Sequence, residues 1–331
     1  MASLMIPPPH APDFLAANGW GGAEIRPLAG DASFRRYFRV HRGAETAVLM
    51  DAPPEHEDVG PFLTIAEELV SRGLSAPRAL AVDRGQGLLL LEDFGDRLVG
   101  PSLRDGVADE AEVYRSAIGV LAKLGAAPAP GHLASYDEAV MLREVALFTD
   151  WYAPALELDV DAAGYVAAWR EVLAGVAREA AARRTLVLRD YHADNLMLLD
   201  RPGLGRLGLL DFQDALAGHP AYDLVSLLQD ARRDVSTELE AAMLREYGAV
   251  AGWSDKPAFR ADYEVLGAQR NAKILGIFTR LWKRDGKDHY LKLQPRVWGY
   301  LERNLAHPAL APVREWFERN VPAGKRAAAW A

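Results

Sequence analysis

LVLRDYHADNLMLLDRPGLGRLGLLDFQDA, residues 186–215, is the stretch on which the fold of this chain turns. Leu186-Val187-Leu188 is a short apolar run that leads into Arg189-Asp190. Asn195 opens a second run, Leu196 to Leu199. Asp200-Arg201-Pro202-Gly203 turns the chain, because Pro presets a turn φ and Gly admits left-handed backbone. A third run, Leu207 to Leu210, ends at Asp211. The pattern is that of two short strands about a turn. It sets out one carboxylate, an amide five residues on, and a second carboxylate 21 residues after the first.

That set suits phosphoryl transfer. The reaction needs a group to orient or deprotonate the attacking hydroxyl, and oxygen ligands to hold magnesium on nucleotide phosphates. The eukaryotic-kinase pattern H-R-D-x-x-x-x-N followed by D-F-G supplies these groups from a loop and the far end of a hairpin. Here the pieces read Leu188-Arg189-Asp190, Asn195 and Asp211-Phe212-Gln213. Leu188 stands for the motif His and Gln213 for the motif Gly, while Asp190, Asn195 and Asp211 match. Taken singly, each of the three is also an ordinary strand-end or turn residue.

Gly218-His219-Pro220-Ala221-Tyr222-Asp223-Leu224 follows closely. The whole stretch resembles the aminoglycoside phosphotransferase and choline kinase-like superfamily, whose members carry a D-x-x-x-x-N loop, an aspartate, and a G-x-P-x-x-D-L run. The resemblance spans nearly the whole chain. It implies an α+β, bilobal protein-kinase-like fold, with an antiparallel-sheet N-lobe and a mainly helical C-lobe, that phosphorylates a small molecule with ATP and Mg2+. Asp190 would be catalytic and touch the acceptor hydroxyl, Asn195 and Asp211 would bind the metal, and Asp223 would support the catalytic loop. Four further stretches look similar to the anomeric kinases that act on N-acetylmuramate and N-acetylglucosamine in peptidoglycan recycling: GDASFRRYF (30–38), LMDAPP (49–54), LEDFGD (91–96) and GIFTRL (276–281).

Composition sets the outer bounds. At 331 residues the chain has room for one large domain or two lobes, and half of its residues are hydrophobic, as in ordinary globular proteins. No apolar run nears the roughly 18 residues of a membrane span. The start, MASLMIPPPHAPDF, lacks the basic and apolar regions of a signal peptide. There is no Cys, which excludes disulfides and thiolate metal sites and fits a cytoplasmic enzyme. The formal net charge of −8 argues against nonspecific nucleic-acid binding. A monomer is expected.

Along residues 1–93, the expected N-lobe, a short helix starts at Asp13 and strands run over Ile25–Leu28, Phe34–Val40 and Thr46–Met50. A helix over Pro61–Ser71 buries Phe62, Ile65, Ala66, Leu69 and Val70, and two more strands cover 79–83 and 88–91. In a kinase-like lobe the turn Gly30-Asp31-Ala32-Ser33 lies over the phosphates, and Ser33 can reach oxygen. Kinases end the third strand with a lysine for the phosphates. Met50 stands there instead, so another cation is needed, with Arg35 and Arg36 nearest; both also fit a solvated strand face. Glu67 and Glu68 read as surface. The resemblance makes Glu92 to Phe94 the hinge that meets the adenine edge.

Residues 94–331 are the expected C-lobe, mostly helical. Helices are expected over 113–124, 139–148, 165–182 and 221–232. His192 is expected to bond the loop backbone, since Asp190 already occupies the base position. Residues 256–303 carry 11 Lys plus Arg against 5 Asp plus Glu, a net of +6. Arg270, Lys273 and Arg280 recur there at near-helical spacing. They suit either an anionic acceptor, gripped through its carboxylate, or a solvated helix face. Trp298 and Trp282 are read as core or as sugar platforms. The resemblance implies a sugar acceptor. An aminoglycoside, choline or hydroxy-amino acid acceptor, and a pseudokinase suggested by Met50, stand as alternatives.

Overall fold

The computed structural model describes residues 6–30, 34–252 and 257–326. In chain order, α1 (Ala11–Ala17) is followed by β1 (Glu24–Gly30), β2 (Arg36–Arg42) and β3 (Glu45–Asp51). Next come α2 (Gly60–Ser71), β4 (Ala79–Asp83), β5 (Leu88–Glu92) and α3 (Val99–Arg104). A helical stretch holds α4 (Glu110–Gly125), α5 (Glu138–Leu147), a π turn (Phe148–Tyr152), α6 (Ala153–Ala155) and α7 (Ala162–Ala182). Four short strands follow: β6 (Thr185–Val187), β7 (Leu196–Leu198), β8 (Leu207–Leu209) and β9 (Leu216–Gly218). The remainder is helical: α8 (Ala221–Leu228), α9 (Thr237–Ala251), α10 (Pro257–Asp285), α11 (Gln294–Leu305) and α12 (Ala311–Asn320).

These elements form two compact units, Met1–Asp105 with Asp194–Asp214, and Gly106–Ala193 with Ala215–Ala331. The first unit is built on a five-stranded antiparallel sheet in the order β1-β2-β3-β5-β4. β5 reads as four leucines in a row because both of its faces are covered. Leu88 and Leu90 join Phe38, Val40, Ala47 and Leu49 in a core closed by Phe14 and Leu15 of α1. Leu89 and Leu91 point the other way, since successive strand side chains alternate, and pair in register with Met50 and Val48. Each leucine so buried stabilises the unit by roughly 1.5–3 kcal/mol. On α2, Phe62, Ile65, Ala66 and Leu69 form the buried face that their spacing predicts, while Val70, at its edge, is only half-buried.

The division differs from a cut at 93/94, and hydrogen bonding is the reason. The β7–β8 hairpin is stitched to segments far away in sequence. Leu209 N–H donates to the Ser75 carbonyl and Leu198 N–H to the Arg97 carbonyl, each at 2.8 Å, and Leu98 bridges Met197. Buried backbone groups must find partners, so the segment goes with those that satisfy it. Residues 94–105, Asn195 and Asp211 therefore fall in the first unit.

In the second unit α10 is buried along most of its length and packs against α5, α8 and α11. Its buried positions are not all apolar: Gln269, Asn271, Lys273 and Thr279 lie inside. Each has a hydrogen-bond partner, as buried polar groups require; Asn271 donates to Gln229 and Asn304, and Gln294 donates to Thr279. The basic character of residues 256–303 is largely neutralised by carboxylates. Arg296 pairs with Asp234, Arg303 with Glu240 and Lys273 with Glu144, all carboxylates outside the segment. Trp298 is fully buried, donating to the Tyr152 hydroxyl at 2.8 Å, which makes it core rather than a sugar platform. α8 ends at Leu228, four residues before the expected Arg232. Gln229 leaves helical geometry there, and Asp230 turns back to accept the Arg232 N–H at 2.8 Å.

Candidate active site

In the first unit a cavity of about 500 Å³ opens beside the sheet. Leu28, Val48, Phe62, Leu91, Met197 and Leu210 give it apolar walls, and Glu92, Asp93, Asp96, Asp194, Asn195 and Asp211 a polar rim. Val48 faces it from β3, and Met50, two residues on and so on the same strand face, is 1% exposed. The strand position where a kinase has its lysine is thus sealed and apolar.

Asp211 follows β8 with φ +56°, a left-handed conformation that is uncommon outside glycine and favours positions where surroundings over-determine the backbone. Leu210 N–H donates to the Asn195 carbonyl at 3.0 Å, tying the two ends of the hairpin. Asn195 Nδ2 lies 3.4 Å from Asp211 Oδ2, and Gln213 Nε2 donates to Asp211 Oδ1 at 2.8 Å. Arg35, 8% exposed, brings its guanidinium to 3.6 Å from Asp211 Oδ1. Arg36, next to it, turns to the other face and donates to Asp51 Oδ2 at 2.8 Å, its cross-strand partner. The two candidate cations, adjacent in sequence, therefore reach different carboxylates. Ser33 lies outside the described residues. Glu92 and Phe94 both line the cavity, with the Glu92 carboxylate bound by Arg201. Asn195 and Asp211 offer amide and carboxylate oxygens, hard donors of the kind magnesium prefers.

The second unit holds Asp190. β6 leads to it through Arg189, which has φ +72°. Three groups fix that unusual residue. Asp223 accepts the Leu188 and Arg189 N–H groups at 2.6 and 2.8 Å, Arg270 donates to the Arg189 carbonyl at 2.9 Å, and Glu144 binds the Arg189 guanidinium. Asp223 is not the cap of α8: Pro220 is, and the carboxylate serves the loop instead. Burial pushes its pKa up to about 7, against the pull of those backbone bonds and of Arg270.

The Asp190 side chain keeps 46% of its surface. Its dense surroundings favour the neutral form, but Arg270, at 3.5 Å, and Lys273 outweigh this and hold the carboxyl below its ordinary range. His192 is pushed down to about 3 by burial and then by Arg232, whose guanidinium donates to Nε2 at 3.2 Å. A neutral imidazole with that partner props the loop from the side chain, while the His192 N–H donates to the Asp190 carbonyl at 3.2 Å.

Lys273 Nζ donates to Glu144 at 2.8 Å and to the Tyr222 hydroxyl at 3.3 Å. Arg280 lies two turns further along α10, where burial and then Arg284 lower its pKa. The structure therefore groups Arg270 and Lys273 with Asp190 and leaves Arg280 apart, beside Arg284 and Asp285. Glu144 escaped sequence reasoning. It is buried, and it receives Lys273, Arg189, Gln269 and the Tyr136 hydroxyl. Burial works against its charge, but Lys273 and Arg189 hold it below its ordinary pKa. Its only signal was one glutamate on the inner face of a helix.

The model of the phosphotransferase enzyme family matches residues 24–261. The N-acetylmuramate/N-acetylglucosamine kinase of Caulobacter vibrioides is 40% identical, over 95% of this chain and 96% of its own. The kinase of the same name from Pseudomonas aeruginosa is 39% identical, over 96% and 95%. Among solved structures, the GDP complex of wild-type aminoglycoside 2'-phosphotransferase-IIIa is similar with a TM-score of 0.59 and 15% identity, covering 89% of this chain and 98% of that one. That last likeness establishes the fold alone, a protein-kinase-like one.

Proposed function

The chain belongs to the phosphotransferase enzyme family, and on that premise we propose that it transfers the γ-phosphate of ATP to the anomeric hydroxyl of N-acetylmuramate or N-acetylglucosamine. The observation that carries the reading is the 40% identity, over nearly the full length of both chains, to a kinase of that name. An ATP-dependent step of peptidoglycan recycling belongs in the cytoplasm, where ATP is.

Asp190 is the base. Arg270 and Lys273 keep its carboxylate ionised, and its open surface leaves it able to accept a proton from the acceptor. A hemiacetal hydroxyl is more acidic than an ordinary alcohol, so a carboxylate is adequate for it. Arg270 and Lys273 are already engaged by Asp190, Glu144 and Tyr222, so we assign them to holding the base rather than to gripping an acceptor carboxylate. Asp223 and His192 hold the loop. The cavity of the first unit takes the nucleotide, its apolar walls receiving the base. Arg35 supplies the cation that Met50 does not. Asn195 and Asp211 would hold Mg2+, which neutralises charge on the phosphates.

Phosphorus NMR of the protein with ATP, Mg2+ and N-acetylmuramate, N-acetylglucosamine, choline or kanamycin tests this. A resonance coupled to an anomeric proton is the expected product. A phosphate ester on choline or kanamycin alone would keep the family and discard the acceptor.

A further inference from the structure

Arg201 stands in the turn between β7 and β8, outside the motifs that carry the family resemblance. Its guanidinium has partners in three directions. One amino group donates to Ser75 Oγ at 2.9 Å, the other donates to the Glu92 carboxylate, and the plane lies 5.1 Å from the centre of the Phe94 ring. The Ser75 hydroxyl donates to the Gly205 carbonyl at 2.8 Å, closing the link back to the hairpin. The Phe94 ring also packs on Gly208 of β8, where a Cβ would meet it at 2.6 Å. Glu92 and Phe94 line the cavity; Arg201 does not. One side chain of the hairpin thus grips two wall residues from behind, and the same hairpin carries Asn195 and Asp211 at its ends.

A second arginine secures the next residues of the wall. Arg39 of β2 donates to Asp93 at 3.1 Å, to Asp96 at 2.7 Å and to the Gly95 carbonyl at 3.0 Å. Gly95, with φ +78°, donates its N–H to Asp93 at 2.9 Å. Arg39 thus holds Asp93, Gly95 and Asp96, while Arg201 ties the side chains of Glu92 and Phe94 to the hairpin, beside the backbone bonds that already join it to Ser75 and Arg97.

We propose that Arg201 is a positioning residue for nucleotide binding: it fixes Glu92 and Phe94 to the β7–β8 hairpin, so that the base pocket and the residues assigned to the metal keep one spacing. The inference rests on reading the cavity as the nucleotide site. Its physical basis is preorganisation, since a wall already in its bound conformation spares the ligand the cost of ordering it. The guanidinium is required as a plane and a fork. A lysine there keeps the charge, but it cannot reach a hydroxyl and a carboxylate while covering a ring.

The test is calorimetric titration of MgADP into wild type, R201A and R201K, with KM for ATP, KM for the acceptor and kcat measured alongside. The expected result is a loss of MgADP affinity of about tenfold in both variants, matched in the KM for ATP. The acceptor KM and kcat stay within about twofold, and thermal melts remain cooperative. Wild-type affinity in R201A, or full rescue by R201K, overturns the proposal. So does an equal rise in both KM values, which is what a merely structural role produces. If R201A does not fold, R201K decides alone, because it keeps the charge and loses the fork. Failure of wild type itself to bind MgADP overturns the cavity reading, and this inference falls with it. That result is told apart from failure of the Arg201 assignment, in which wild type binds and the variants bind equally.

Discussion

At the scale of single residues, the site depends on opposing influences on Asp190. Its surroundings favour the neutral acid, and Arg270 leads the cations that reverse the balance. Asp190→Asn removes the acceptor of the proton, so kcat should fall by roughly 10²–10⁴-fold while MgADP still binds. Turnover at wild-type rate would end the assignment. The pH dependence follows in sign. With Asp190 as the proposed base, activity requires its carboxylate, which is lost as pH falls through a pKa below the ordinary range. Arg270→Gln removes the chief cation, so the pKa rises and the acid limb of kcat/KM moves to higher pH. An unmoved limb would show that Arg270 does not act through Asp190. Asp190, Asn195 and Asp211 could be singled out as candidates in the sequence because their motif is local. Glu144 could not, because it acts across 45 residues on Arg189 and 129 on Lys273, distances at which one sequence carries no signal.

Among the elements, α10 separates what periodicity reveals from what it hides. The strands of the first unit and most helices were legible, because apolar residues at the strand or helix period mark a buried face. α10 offers no such stripe: its inner positions include Gln269, Asn271 and Lys273, and their partners come from other helices. The net +6 of 256–303 was therefore visible while its neutralisation by Asp234, Glu240 and Glu144 was not. The same helix gives a prediction. Gly276 sits against the end of α5, where a Cβ would collide with the Leu147 carbonyl group. That group is backbone and cannot swing aside. Gly276→Ala should cost about 1–3 kcal/mol, read as a lower denaturant midpoint at unchanged slope. A neutral or stabilised variant, as helix propensity alone would give, would mean that the two helices part easily.

For the molecule as a whole, the packing division places the cavity with Asn195 and Asp211 in one unit and Asp190 in the other. A sequence cut at 93/94 could not anticipate this, because membership follows the Ser75 and Arg97 carbonyls that the hairpin satisfies. The division bears on how ligands stabilise the protein. A ligand that binds only the folded state adds RT ln(1 + [L]/Kd), about 2.7 kcal/mol at a hundred times Kd. If openings of each unit are separate, that increment belongs to the unit that holds the ligand. MgADP should therefore slow amide exchange by up to about a hundredfold in 88–98 and 196–210, and leave α10 and 186–189 little changed. The acceptor sugar should do the reverse, slowing exchange around Asp190 and in the middle of α10. Exchange followed by mass spectrometry on peptides from both units reads the two patterns directly. Equal protection of both units by nucleotide alone would mean that they open together, and that the contact boundary is not a boundary of stability.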